Sequence, residues 1–472
     1  MSDANENVGP CRNGDTEGHY SPILLPILLA AYSLSYVDRQ IFNILANPIA
    51  VELRISDTQI GLLGGLAFAL FYSSLGVPLA IVVDRLKTDR IRVMSASLCL
   101  FSGFTIASGF ARSFFPFMAA RTGVGLGEAG IIPAAHSLIG DVVPIERRGK
   151  ALAVFGLGVP VGTVLGLSIG GVIGEWWGWR WAYLAVGLPG VLLALGMGRL
   201  LIDPRRGGLI QKGHDEPASG IALRDTFKAI VRSRALTAVF LATAVVAFVG
   251  YGNATWAAVY FVRTKGLSLG EAGIWLGLVA GTAGSLGTWI GGVLCDKVSP
   301  SSRRHCLAIA TASLVLMAPF QFAAFSVSDW RLALLLFWPA LLCQNVYYAP
   351  SFLSIHWLIP GKSRALATAF LVMFLNLCGL GFGPLVYGVL SDMLRPHVGD
   401  DSVRTVMLLA SSIPLVAAML YWRAACAISA EDAECLSRID PDDAEPEYPE
   451  NLGGLEARDG QSLAVDRQIK RS

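Results

Sequence analysis

Runs of twenty or so mostly apolar residues dominate this chain and leave few choices for what it can become. A helix needs about 20 such residues to cross the roughly 30 Å hydrocarbon layer of a bilayer. The runs fall at about 22–46, 59–83, 92–111, 115–140, 150–173, 180–202, 236–262, 270–294, 305–326, 331–358, 365–391 and 403–426. Backbone groups in lipid must pair within their own segment, so runs of this length read as helices; barrel strands would be half as long and would alternate in polarity. The pattern predicts an all-α membrane protein with twelve transmembrane helices in two six-helix halves. The halves occupy 22–202 and 236–426. A polar tail precedes them at 1–21, a linker joins them at 203–235, and a disordered acidic tail follows at 427–472.

Composition agrees. Of 472 residues, 54% are hydrophobic and 15% charged, whereas soluble domains carry roughly 25% charge. So much apolar sequence excludes a disordered chain, a disulfide-stapled secreted domain and a nucleic-acid binder. Cys11, Cys99, Cys295, Cys306, Cys343, Cys378, Cys426 and Cys435 form no CxxC pair, so neither a disulfide framework nor a zinc site is signalled. The opening residues carry Asp3, Glu6, Asp15 and Glu17, the wrong chemistry for a cleavable signal peptide, so the first apolar run is expected to stay as a span.

Orientation follows from lysine and arginine, which collect in cytoplasmic loops. Even-numbered connections are rich in them: Arg85, Lys87, Arg90 and Arg92; Arg147, Arg148 and Lys150; Arg205, Arg206, Lys212 and Lys228; Lys297, Arg303 and Arg304; Lys362 and Arg364. The opposite loops hold isolated residues such as Arg54, Arg112, Arg180 and Arg331. Both termini are expected in the cytoplasm, with the chain in a bacterial inner (cell) membrane.

The two halves echo one another. Asp84-Arg85 after the second run recurs as Asp296-Lys297 after the eighth, and Pro144, Arg148 and Ala151 recur as Pro360, Arg364 and Ala367 at nearly the same offset. Duplicated six-helix halves with a site between them are the build of alternating-access carriers. Asp84-Arg85 with its following cations resembles the signature of the major facilitator superfamily, although Ala80 stands where a glycine is usual; the second copy keeps Gly292. Tyr36-Val37-Asp38-Arg39 and the stretch from Arg121 through Gly123, Gly125, Gly127 and Glu128 to Ala129 are similar to the Spinster family of lipid and lysolipid carriers. The resemblance covers the helical body and not the acidic tail. It implies the major facilitator fold and a small amphipathic substrate.

Charge inside a bilayer costs at least about 2.5 to 3.5 kcal/mol per residue on insertion scales, which makes intramembrane ionisable groups functional candidates. Asp38 and Arg39 stand in the first run, Arg121 and Glu128 in the fourth. Seven residues make nearly two turns, so Arg121 and Glu128 share a face, with Gly125 between them leaving room for a neighbour. If the two helices touch, as the resemblance implies, the four form one network. Proton coupling through Asp38 or Glu128 is one reading; a structural ion pair is the other, with Arg121 snorkelling to water.

Asp84, Arg85, Asp296 and Lys297 are expected to act as a cytoplasmic gate, the alternative being that the cations only fix topology. Gly158, Gly162, Gly166, Gly170 and Gly174 form a small-residue strip in the fifth run, near a kink at Pro160, and Gly277, Gly281 and Ser285 a shorter one in the eighth. Substrate-binding candidates near the midplane are Asn43, His136, Asn253, Trp256, Gln344, Asn345, Tyr347 and Asn376, each of which could equally serve an interhelical hydrogen bond. The amides and sparse charge suit an amphipathic substrate.

Catalytic signatures such as HExxH, GxSxG and a complete P-loop are absent from the sequence, so no enzyme activity, metal or cofactor is expected. The reading is a monomeric, proton-coupled secondary carrier whose partners are protons, membrane lipid and a lysolipid, sphingolipid or other amphipathic small molecule. Carriers of drugs, sugars or organic anions are the alternative within the class. An uncoupled lipid scramblase or a membrane receptor is the alternative outside it.

Overall fold

The computed structural model describes residues 22–84, 89–201, 203, 223–298, 303–359 and 363–437. Among the described residues, twelve helical spans follow one another. Span 1 is Leu24–Leu53; span 2, Asp57–Gly64 with Leu66–Asp84; span 3, Arg90–Gly109; span 4, Phe114–Glu128 with Ile131–Val142; span 5, Ile145–Gly156 with Gly158–Trp176; span 6, Trp179–Leu200. A short linker helix, Leu223–Arg232, leads to span 7, Arg234–Arg263. Then come span 8, Leu269–Val298; span 9, Arg303–Ser326; span 10, Trp330–Asn345 with Tyr348–Leu358; span 11, Arg364–Leu375 and Gly383–Val398 around a π-helical turn at Asn376–Phe382; and span 12, Ser402–Ala410 with Ile413–Ser437. Among the described residues, nine helical stretches are long and apolar enough to cross a membrane by length and composition, the last of them, Leu366–Ile428, holding spans 11 and 12 together. Span 1 falls outside that set because Asp38, Arg39 and Gln40 stand in its middle.

Proline explains most of the interruptions. A proline lacks the N–H that would bond the carbonyl four residues back. Pro133 and Pro350 stand four residues beyond the breaks that begin at Ala129 and Val346, Pro160 and Pro414 stand three beyond those at Leu157 and Ser411, and Pro384 lies just after the π turn. Span 2 breaks at Gly65 without a proline. There the span 11 carbonyls of Leu380 and Gly381 press against the bare α-carbon and would collide with any side chain.

Small residues decide which spans can touch. The strip Gly158, Gly162, Gly166, Gly170 and Gly174 receives span 1 through Tyr32, Ser33, Val37, Ile41 and Leu45. Gly171 on a neighbouring face of span 5 meets Leu269 and Gly273 of span 8. Spans 2 and 11 meet in the corresponding way, Gly61 against Pro384 and Gly388 against Asp57. The echo seen in the sequence has one geometry in both copies: Arg148 Nε donates to the Val143 carbonyl at 3.0 Å, and Arg364 Nε to the Ile359 carbonyl at 3.1 Å. Pro360 lies outside the described residues.

One expectation from the cysteines is corrected. Cys295 and Cys306 are disulfide-bonded, with Cα atoms 5.1 Å apart. Eleven residues separate them in sequence, a spacing that matches no framework pattern, but the end of span 8 and the start of span 9 bring them face to face.

Candidate functional site

Asp38 and Arg39 stand at the midpoint of the thirty-residue span 1, and each crosses to span 4. Arg121 Nη1 donates to Asp38 Oδ2 at 2.7 Å. Arg39 donates to Glu128 Oε2 through Nε at 2.8 Å and Nη2 at 2.6 Å. The shared face of Arg121 and Glu128 thus serves two partners on span 1, and the four charges make two parallel bridges. Arg121 is 2% exposed, so it does not snorkel. The room beside Gly125 is taken by Phe68 of span 2. That ring lies 4.8 Å from the Arg39 guanidinium and 5.9 Å from that of Arg121. Tyr36 and Tyr72 also face Arg39, and Phe42 faces Arg121. Cation–ring attraction of this kind reaches about 2 kcal/mol when desolvated, and helps hold two guanidinium groups in a dry interior.

The two acids differ in how completely they are bound. Asp38 has both oxygens occupied, since the Thr105 hydroxyl of span 3 donates to Oδ1. Glu128 has Oε2 held by Arg39, while Oε1 is buried without a hydrogen-bond partner; Ser35 stands beside the group. A buried carboxylate oxygen without a donor is costly as an anion and costs less once it carries a proton. Glu128 also ends the first segment of span 4, at the break before Pro133. Broken helices at membrane depth are tolerated where protein or a cavity surrounds them. The Arg39 side chain keeps 12% exposure, against 1% for Glu128, so one edge of this network reaches open space.

A second polar cluster, unforeseen from the sequence, ties spans 1–6 to spans 7–12 at the end of the bundle away from the linker. Arg263 of span 7 binds Asp57 of span 2 through Nη1 at 3.0 Å and Nη2 at 3.1 Å, and its Nε donates to Asn47 Oδ1 at 3.3 Å. Ser391 of span 11 donates to Asp57 Oδ2 at 2.6 Å. The carboxylate of Asp392, also on span 11, accepts the backbone N–H groups of Asp57 and Thr58 at 3.1 and 2.8 Å. It therefore caps span 2 from the other half. Glu175 of span 5 does the same for span 8, accepting the N–H of Gly270 at 2.7 Å. The offset that relates Asp84 to Asp296 also relates Thr58 to Gly270, so the internal repeat could have pointed to these caps. Carboxylates are favoured at helix N-termini, where unsatisfied N–H groups and the helix dipole concentrate positive charge.

The remaining candidates scatter. Asp84 is the last residue of Leu66–Asp84, and Arg85 lies outside the described residues. Asp296 and Lys297 are exposed at the end of span 8. Asn253 is fully buried, donating to Gln321 Oε1 at 3.2 Å and accepting from Tyr387 at 3.3 Å, and Trp256 donates to the Pro384 carbonyl at 2.9 Å. Asn43 donates to Gln40 at 3.0 Å, and Asn345 to the Leu341 carbonyl at 2.8 Å. Tyr347 is buried against Tyr348. His136 is exposed, edge-on to Phe155 at 5.6 Å. Gln344 keeps Oε1 buried without a partner. Asn376 opens the π turn of span 11, half-buried.

Residues 28–316 match the family model described as Major Facilitator Superfamily. An MFS-type efflux pump of Mycolicibacterium smegmatis is 32% identical over 405 residues, covering 84% of this chain and 91% of the relative. Protein spinster homolog 1 of Mus musculus is 26% identical over 408 residues, covering 81% of this chain and 75% of its own length. A solved bacterial homologue of the human lysosomal transporter Spinster, inward-facing and unoccupied, aligns with TM-score 0.79 and 27% identity over 87% of this chain and 99% of that one.

Proposed function

This chain belongs to the Major Facilitator Superfamily, in its Spinster-like branch, and on that premise we propose that it moves a lysolipid, sphingolipid or similar amphipathic molecule by proton-coupled alternating access. It is a multi-pass membrane transporter; the coupling ion and the substrate class are the proposal. The observation that carries the coupling is the unequal satisfaction of the two buried acids, Asp38 bound at both oxygens and Glu128 at one. Glu128 is the proton carrier in this account. Uptake of a proton at Oε1 neutralises the partner of Arg39, frees the guanidinium toward the partly open side of the network, and loosens the grip of span 4 on span 1.

Neutral Glu128 no longer holds the Arg39 guanidinium as an ion pair, and in this account that change lets span 1 part from span 4. The end closed by Arg263, Asp57, Asp392 and Glu175 is proposed to be the extracellular one, with both termini in the cytoplasm, which makes this conformation inward-facing. Six spans on either side of the linker are proposed to rock as units about the span 2–span 11 and span 5–span 8 contacts. Of the cavity candidates, Gln344, Asn376 and His136 are the ones not consumed by a packing bond, and we assign them to the substrate. The name of the Mycolicibacterium relative, an efflux pump, favours export. Proteoliposomes loaded with lysophosphatidylcholine and given an inward or outward pH gradient test the reading: gradient-dependent flux supports a coupled carrier, equilibration regardless of gradient would mean a scramblase, and no flux a receptor.

A further inference from the structure

Away from the central network, a groove of about 490 Å³ opens between the start of span 7 and the end of span 12, beside the linker helix. Its lip carries Arg234 and Arg423; its floor is Thr237, Ala238, Leu241 and Leu420. The depth order is set by chain direction. Span 7 enters the bundle from Arg234 toward Leu241, and span 12 leaves it from Leu420 toward Arg423, so the cations lie nearer the linker end and the leucines deeper. Both arginines are exposed, and among the described residues neither forms an ion pair. The Thr237 hydroxyl is already bonded to the Ile230 carbonyl at 3.0 Å, which leaves the guanidinium groups as the free polar donors of the groove.

The linker helix fits the same setting. Ile230 and Thr226 are buried against the bundle, while Phe227 and Val231 are exposed on the neighbouring face, 56% and 57%, next to Arg224, Lys228 and Arg232. An apolar edge beside a cationic face is the pattern of a helix lying in a membrane interface. Trp422, exposed next to Arg423 with the Arg304 guanidinium 5.9 Å from its ring, is the residue type that settles at headgroup depth.

We propose that this groove is a binding site for an anionic phospholipid, the phosphodiester held between Arg234 and Arg423 and an acyl chain lying along Leu241 and Leu420. Basic pockets between spans at the membrane surface select acidic headgroups in this way. A zwitterionic lipid offers the same phosphate but brings its own ammonium into the cationic lip, so the site discriminates by net headgroup charge.

The test uses the full chain in detergent supplemented with phosphatidylglycerol or phosphatidylcholine, with bound lipid read by native mass spectrometry. The wild type is expected to retain phosphatidylglycerol preferentially. The double variant Arg234→Gln/Arg423→Gln should lose that preference by about twenty-five-fold, roughly fivefold per arginine; Arg112→Gln, in the loop between spans 3 and 4, should keep it. Arg423→Gln alone serves if the double variant is less stable than the wild type without added lipid, and should lose about fivefold. Equal phosphatidylglycerol retention in wild type and variants overturns the site. So does displacement of the lipid by millimolar inorganic phosphate, which would mean a soluble-anion site, or equal retention of phosphatidylcholine, which would mean a purely apolar groove.

Discussion

Arg39 closes on one oxygen of Glu128 and leaves the other buried and unpartnered. That asymmetry marks Glu128, not Asp38, as the group with a vacant place for a proton. Infrared difference spectra between neutral and acid pH should therefore contain a protonated-carboxyl stretch that vanishes in Glu128→Gln and persists in Asp38→Asn.

We assign Asp38 a structural duty instead. Its removal leaves Arg121 buried without a counter-charge, the situation that typically costs about 3 to 5 kcal/mol. Asp38→Asn should lower the melting temperature clearly more than Glu128→Gln does, measured on the purified protein at neutral pH. Equal losses would place both acids in the same role.

At the closed end, Asp392 and Glu175 cap helices of the opposite half. Losing such a cap costs about 0.5 to 2 kcal/mol, or a roughly two- to thirtyfold shift in a two-state population. Spin labels placed across that end should report a larger open fraction in Asp392→Ala and in Glu175→Ala, and a larger one still in the double variant.

Gly273 makes a sharper test of the same interface. A methyl group there would meet the Leu167 backbone carbonyl of span 5, an atom that cannot swing aside. Gly273→Ala should push the same population toward opening, whereas Gly292→Ala, with no atom within 4 Å of the added carbon, should leave the label distances unchanged.

Amides at similar depth should separate by function. Asn253 is bonded to Gln321 and Tyr387 inside the second half, so Asn253→Ala should lower thermal stability with little change in substrate KM. Gln344→Ala should do the reverse, raising KM while leaving the melting temperature near wild type.

Much of this was open to inspection in the chain itself. The spans are legible because lipid demands long apolar helices, and Asp38, Arg39, Arg121 and Glu128 stand out because charge is rare there. Which acid pairs with which base was not legible: Arg121 and Glu128 share a face, and only the approach of span 1 through the glycine strip of span 5 sets the register that crosses the partners. Asp57, Arg263, Asp392 and Glu175 escaped notice because acids and bases near span ends look like ordinary loop residues until the halves are brought together. Asn253 and Trp256 read as cavity groups by depth alone; their partners Gln321, Tyr387 and Pro384 come from distant spans. Cys295 and Cys306 meet only because spans 8 and 9 run side by side.

The claim that protonation of Glu128 drives the cycle is tested most directly by comparing two fluxes in one set of proteoliposomes, substrate exchange at equal pH and net transport driven by an imposed pH gradient. The account predicts that Glu128→Gln, fixed in a neutral form, still exchanges substrate but no longer responds to the gradient. A variant that keeps gradient-driven accumulation at the wild-type rate would contradict it.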